Sequence, residues 1–237
     1  MFENIEFSHA FQPILDIEQD MVVSYEVLLR GLNNEPPEFV LSQISKSELL
    51  PFDQYSRERA LETAARLGLD CDINMNFTPS AVQYDEGYFV IATIEKLKSL
   101  GYKTRQLVVE ITESELIHDI ENFADVLDIL RSHGVAIAID DFGAGYAGLN
   151  MLAEIQPDLI KLDMSLIRGI EKHGPRQSIT RAIYSVCLDL GIDILAEGVE
   201  TEEEFNYLSG AGIQLYQGYF VAQPAFEYLP QPTTRTR

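Results

Sequence analysis

The 237-residue sequence has no tryptophan, only two cysteines, and 17 lysine and arginine residues against 38 aspartate and glutamate. Each shortage excludes something. Cys71 and Cys187 lie far apart, which argues against a disulfide scaffold. They fit a reducing compartment, so a cytoplasmic protein is expected. A net charge of −21 repels nucleic acid and anionic bilayers, which disfavours binding to a DNA duplex. A phosphate ligand would then need local cations, and bound metals are one source of them. No apolar stretch approaches the roughly 20 residues of a membrane span. The N-terminus, MFENIEFSHAFQPIL, lacks the basic region and long apolar core of a signal peptide. Low-complexity segments, repeats and long linkers are also missing. Only PQPTTRTR, residues 230–237, reads as a flexible tail, leaving residues 1–229 as one domain.

What is present alternates β-rich runs with helical patterns. Apolar spacing predicts helices over 53–67 (with Asp53 as a cap), 122–133, 176–190 and 201–208. Gly134, Gly191 and Gly210 stand near the ends of the last three. Strands are predicted over 22–29, 72–76, 106–111, 135–140, 159–162, 192–196 and 213–216. Repeated β then α in one domain argues for a parallel sheet, open or closed.

Polar residues fall at a regular place in that pattern. INMN ends in Asn76, LVVE in Glu110, AIAIDD in Asp140 and Asp141, and DILAE in Glu197. LIKLD carries Lys161 and Asp163, and LYQG carries Gln217. In an α/β barrel the C-terminal strand ends converge on one face, whereas an open doubly wound sheet spreads them along a line. Convergence favours the barrel. It would gather Glu26, Glu110, Asp140, Asp141 and Glu197 with Asn76. Such a set cannot all stay ionised unless cations compensate it. Oxygen ligands without His or Cys suit Mg²⁺ or Mn²⁺ rather than Zn²⁺. His9, His118, His133 and His173 lie outside every strand-end motif and are expected at the surface or at helix caps. Adjacent Asp140 and Asp141 point to opposite sides if both are extended, so one could bridge two metals. Lys161 is expected to orient an attacking water or to stabilise phosphate charge, unless it makes only a structural salt bridge.

Two simpler motifs fail. DFG at 141–143 occurs in kinases, but the glycine-rich loop, the VAIK-type lysine and the HRD segment are missing. GAGYAG at 143–148 matches a dinucleotide fingerprint only in letters, because it follows two acids rather than sitting directly on a strand end.

The segments FQPIL, YEVLLRG, INMNFTPSAV, LVVEITES, AIDDFGAGYAGL, PDLIKLDMSLI, ILAEGVET and YQGYFVAQP stand here in order. Together they resemble the EAL-domain family of cyclic di-GMP phosphodiesterases over about residues 7–227. The resemblance implies a modified (β/α)₈ TIM-like barrel of EAL type and hydrolysis of cyclic di-GMP to linear pGpG with two divalent cations, Mg²⁺ or Mn²⁺. By position it assigns Glu26, Asn76, Glu110 and Asp140 to one metal, and Asp140, Asp141 and Glu197 to the other. Lys161 would contact the hydrolytic water and Gln217 would help place it. Gln12, Leu28, Arg30, Asp163 and Pro224 would contact substrate, Arg30 at a phosphate. Glu113 would anchor the loop after the aspartate pair. A homodimer is implied, and a sensory domain where such a chain is part of a longer one. Two departures stand out. Val27 replaces the family's alanine in the naming triplet, and Ala144, Ala147 and Gly148 replace the hydroxyl residues of the DFGTGYSSL pattern. An EAL module without turnover, binding cyclic di-GMP or a protein as a receptor, is the alternative.

Overall fold

The computed structural model describes residues 2, 4–77, 88–113, 120–144 and 149–232. Its strands are β1 (Phe7–Asp16), β2 (Met21–Gly31), β3 (Asp72–Asn76), β4 (Leu107–Thr112), β5 (Ala136–Phe142), β6 (Leu159–Leu162), β7 (Asp193–Ala196), β8 (Leu215–Tyr216) and β9 (Ala225–Phe226). Its α-helices are α1 (Pro37–Leu41), α2 (Leu49–Arg66), α3 (Tyr88–Ser99), α4 (Ile120–Ser132), α5 (Asn150–Ile155), α6 (Met164–Ile167), α7 (Gly174–Leu190) and α8 (Glu202–Gly210). Strands pair in the order β2-β3-β4-β5-β6-β7-β8-β1, and β1 also pairs with β2, so an eight-stranded barrel closes. β9 adds to β1 outside that ring.

Strands β2 to β8 run parallel, as the β/α alternation predicts. β1 departs from that expectation and is antiparallel to both neighbours. The cause is local. Only Ile17–Asp20 join β1 to β2, far too few for a crossover helix. Asp16 fixes this turn by accepting hydrogen bonds from the Glu18 and Gln19 amides at 2.8 and 3.0 Å. β1 escaped the sequence reading because Pro13 argues against a central strand. The barrel tolerates it because β1 meets β8 only at Leu15–Asp16 and β9 only at Ala10–Phe11. Pro13 falls in the gap between those pairings.

The predicted helices form, with corrections at their ends. α2 begins at Leu49, so Asp53 is not its cap; it lies inside the helix and pairs with Arg57 one turn on. Thr201 caps α8, and Glu204 completes a capping box. The His173 ring accepts from the Arg176 amide at 3.3 Å and caps α7. His9 contradicts its expected surface position. It lies in β1 opposite Leu29, is 2% exposed, and shares a 3.0 Å hydrogen bond with Ser56 of α2. Burial, with Arg59 nearby, pushes its pKa down to about 3, so it is neutral at ordinary pH. His118 lies outside the described residues.

The main core lies between the outer faces of the strands and the surrounding helices. Val109, Ile111, Ile137 and Ile139 pack there with Leu97, Val126, Leu130 and Leu152. No helix of the described residues is long and apolar enough to cross a membrane. At the chain's end, the Tyr25 hydroxyl donates to the Pro230 carbonyl at 3.0 Å and bonds the Gln231 amide at 3.2 Å.

Candidate metal centre

Strand register decides which polar side chains enter the barrel. Gln12 stands opposite Glu26, Glu26 beside Asn74, and Asn76 beside Glu110. Residues paired across a ladder face the same side, so all five share the interior. Glu110 is fully buried and Glu26 is 7% exposed.

Lys161 enters this cluster from β6 and is fully buried. Its Nζ lies 2.7 Å from Glu197, 3.0 Å from Glu110, 3.1 Å from Asp140 and 3.5 Å from Glu26. One cation therefore faces four carboxylates. Burial opposes its charge, but the four acids together hold its pKa well above the ordinary lysine value. It does not compensate all of them. Burial, reinforced by Glu26 and Asp140 against the pull of Lys161, raises the Glu110 pKa to about 8. Burial likewise pushes Glu197 well up, and burial with the adjacent Asp140 raises Asp141.

The two adjacent aspartates turn out not to be both extended. Asp141 has a φ of 54°, and the pairing of β5 with β6 shifts register between Ile139 and Phe142. This bulge turns Asp141 from the face that strict alternation would give it. Asp tolerates the left-handed region better than most residues. The Asp141 amide donates to Asp140 Oδ1 at 2.9 Å, and the Ala144 amide donates to the Asp141 carbonyl at 3.1 Å, closing a turn. Glu113, 2% exposed, accepts from the Gly143 amide at 2.8 Å and so touches that turn directly. Gly143 has a φ of 97°, and a Cβ there would strike Leu166. Ala147 and Gly148 lie outside the described residues.

Two acidic triads result, Glu26–Glu110–Asp140 and Asp140–Asp141–Glu197, each with its ligand oxygens within 4.8 Å of one another. Asp140 belongs to both. The donor set is all oxygen, and Glu110 Oε2 is buried with no hydrogen-bond partner among the described residues. A hard divalent cation fits both facts. Asn76 lies at the edge, its amide 3.5 Å from Glu26 Oε1.

The remaining predicted residues spread over two cavities. One, of about 270 Å³, is lined by Gln12, Glu26, Asp141, Asp163, Glu197 and Gln217, with Arg168 and Tyr219 on its wall. Gln217 donates to Glu26 at 2.5 Å and to Gln12 at 3.2 Å, and Gln12 donates to the Ala222 carbonyl at 3.2 Å. Asp163 caps the short α6 through the Ser165 amide at 2.9 Å. The other cavity, of about 260 Å³, holds Leu28, Arg30 and Asn76 with Arg57 and His9. Arg30 bonds the Leu29 carbonyl at 2.7 Å. Pro224 is half-buried and lines neither cavity. Sequence reasoning missed Asn74, 1% exposed, whose amide donates to Glu110 at 2.8 Å. The two-residue period of INMN puts it on the same face as Asn76, and that was the available signal.

This chain is similar to several known proteins. The antirepressor BluF of Escherichia coli, blue light- and temperature-regulated, is 35% identical over 222 residues, 93% of this chain and 55% of that protein. The cyclic di-GMP phosphodiesterase PA2567 of Pseudomonas aeruginosa is 30% identical over 224 residues, 92% of this chain and 38% of that protein. The chain thus spans about half or less of these curated relatives. A standalone EAL protein from Vibrio cholerae, solved with c-di-GMP bound, is 40% identical with a TM-score of 0.91, covering 97% of each chain. The family model described as EAL domain matches residues 1–224, and with the closed barrel and its acidic face this chain belongs to the EAL-domain family.

Proposed function

We propose that the chain is a phosphodiesterase that hydrolyses cyclic di-GMP to linear pGpG, using two divalent cations, Mg²⁺ or Mn²⁺. The observation that carries this reading is the pair of acidic triads sharing Asp140, with Lys161 among their carboxylates. Glu26, Asn76, Glu110 and Asp140 would hold one cation, and Asp140, Asp141 and Glu197 the other. When bound, such cations stabilise charge on a transferring phosphoryl group and lower the pKa of water.

The chain's own groups supply the rest. Lys161 stays protonated because four acids surround it, so it offers N–H donors to the attacking water or a phosphate oxygen. Gln217, fixed between Glu26 and Gln12, places an amide at the same floor. The water oxygen bonds to phosphorus, the phosphorus–oxygen bond to a ribose breaks, and the departing alkoxide takes up the proton that the water gives up and becomes a hydroxyl. Arg30 would bind a phosphate, and Gln12, Leu28, Asp163 and Pro224 the outer parts of the dinucleotide. A relative at 30% identity named as a cyclic di-GMP phosphodiesterase supports the substrate. Incubation with Mn²⁺ and cyclic di-GMP should yield pGpG by chromatography. No product over hours refutes the reading.

The 35% identity to BluF, named an antirepressor, favours a second reading in which the domain binds without turnover. Calorimetry separates the two: tight cyclic di-GMP binding in metal-free buffer, with no hydrolysis once Mg²⁺ is added, selects the receptor.

A further inference from the structure

Beneath the carboxylates lies a polar chain with no part in the reading above. Ser24 of β2 and Asn74 of β3 are 6% and 1% exposed. The Ser24 hydroxyl donates to Asn74 Oδ1, and Asn74 Nδ2 donates to Glu110 Oε1 at 2.8 Å. A buried amide is stable only when hydrogen-bonded, and this one is held from both ends. Its orientation follows from Glu110: an ionised carboxylate only accepts, so Nδ2 faces it, and Oδ1 is left to take the Ser24 hydroxyl proton.

The consequence falls on Glu110. Its Oε1 receives Asn74 and lies 3.0 Å from Lys161. Its Oε2 is buried and has no hydrogen-bond partner among the described residues. Two groups hold one oxygen, and the other is left over in a site built of acids. We propose that Asn74, anchored by Ser24, is a positioning residue that fixes the Glu110 carboxylate with Oε2 as the oxygen presented to a divalent cation. This rests on the acidic cluster being a metal centre, and not on what that centre cleaves. Outer partners that orient metal ligands commonly set affinity by 10–100-fold.

Mn²⁺ titration of the full chain, by calorimetry and by electron paramagnetic resonance of the bound ion, tests it. Asn74→Leu keeps the volume and removes the donor. It should weaken Mn²⁺ binding by about 10–100-fold and change the resonance line shape. Ser24→Ala frees the amide to rotate and should weaken binding by a smaller factor. Val90→Ala, in α3 outside the barrel, should lower stability and leave Mn²⁺ affinity unchanged. An Asn74→Leu affinity within twofold of the parent overturns the proposal, as does an equal loss in Val90→Ala. If Asn74→Leu does not fold, Ser24→Ala decides, and an unchanged affinity there overturns it. So does a parent chain that binds no Mn²⁺. A parent that binds Mn²⁺ without cleaving cyclic di-GMP refutes the phosphodiesterase reading and leaves the positioning role standing.

Discussion

Replacing Lys161 by methionine tests the electrostatics of the centre most directly. The side chain is fully buried, and its Nζ stands 2.7–3.5 Å from four carboxylates. Methionine fills much the same volume, so the packing loss is small and the effect is one of charge. Removing one member of a buried ion pair costs about 3–5 kcal/mol, because the partner charge is left uncompensated. For a domain of this size each kcal/mol lowers Tm by about 2–4 °C, so metal-free Lys161→Met should melt roughly 6–20 °C below the parent. The loss should grow with pH. Glu110 already has its pKa raised to about 8, so near pH 6 it is protonated and adds no repulsion. At pH 9 it is ionised in the parent, whereas loss of the ammonium pushes its pKa up further in the variant, so the missing cation costs more there. Scanning calorimetry in chelator at both pH values reads this out. Mn²⁺ should restore much of the loss, since a cation again faces the acids, while pGpG production should fall by orders of magnitude. A variant whose Tm at pH 9 in chelator lies within 2 °C of the parent would show that Lys161 does not hold these carboxylates together.

Three further outcomes follow from the same structure. Glu26→Ala should abolish turnover, measured by chromatography of pGpG, because it removes a triad member and the acceptor for Gln217. His9 has its pKa lowered from 6.5 to about 3, so below pH 6.5 the unfolded chain binds a proton that the folded chain refuses. Stability then falls as pH drops from 6.5 towards 3 and is flat above that window; denaturant titrations of His9→Gln should show a shallower fall than the parent, and parallel curves would refute the shift. Gly218 has a φ of 145°, and a Cβ there would collide with the Val199 backbone. Gly218→Ala should cost about 1–3 kcal/mol from backbone strain alone, seen as a lower urea midpoint, and should lower turnover by displacing Gln217.

The sequence by itself determined the family, the barrel and the identity of the acids. Strand-end polar residues are legible because a parallel barrel sends every strand's C-terminal end to one face, so a one-dimensional pattern implies a three-dimensional cluster. The helix over 201–208 was legible from its apolar spacing and Gly210, and the structure adds the Thr201–Glu204 capping box. Tertiary structure alone decided the rest. Pro13 hides β1 from any propensity argument, and only the gap between its short pairings with β8 and β9 makes it tolerable. His9 looked like a surface residue until the pairing with Leu29 set it behind α2. Strict alternation would send Asp141 away from Asp140, and the bulge in β5 brings it back. The period of INMN puts Asn74 on the Asn76 face, but its weight comes from Glu110, 36 positions along the chain and one strand away. Local patterns say which residues reach the face of the barrel, and register and bulges say which oxygen meets which proton, because those depend on strands that are neighbours only after the barrel has closed.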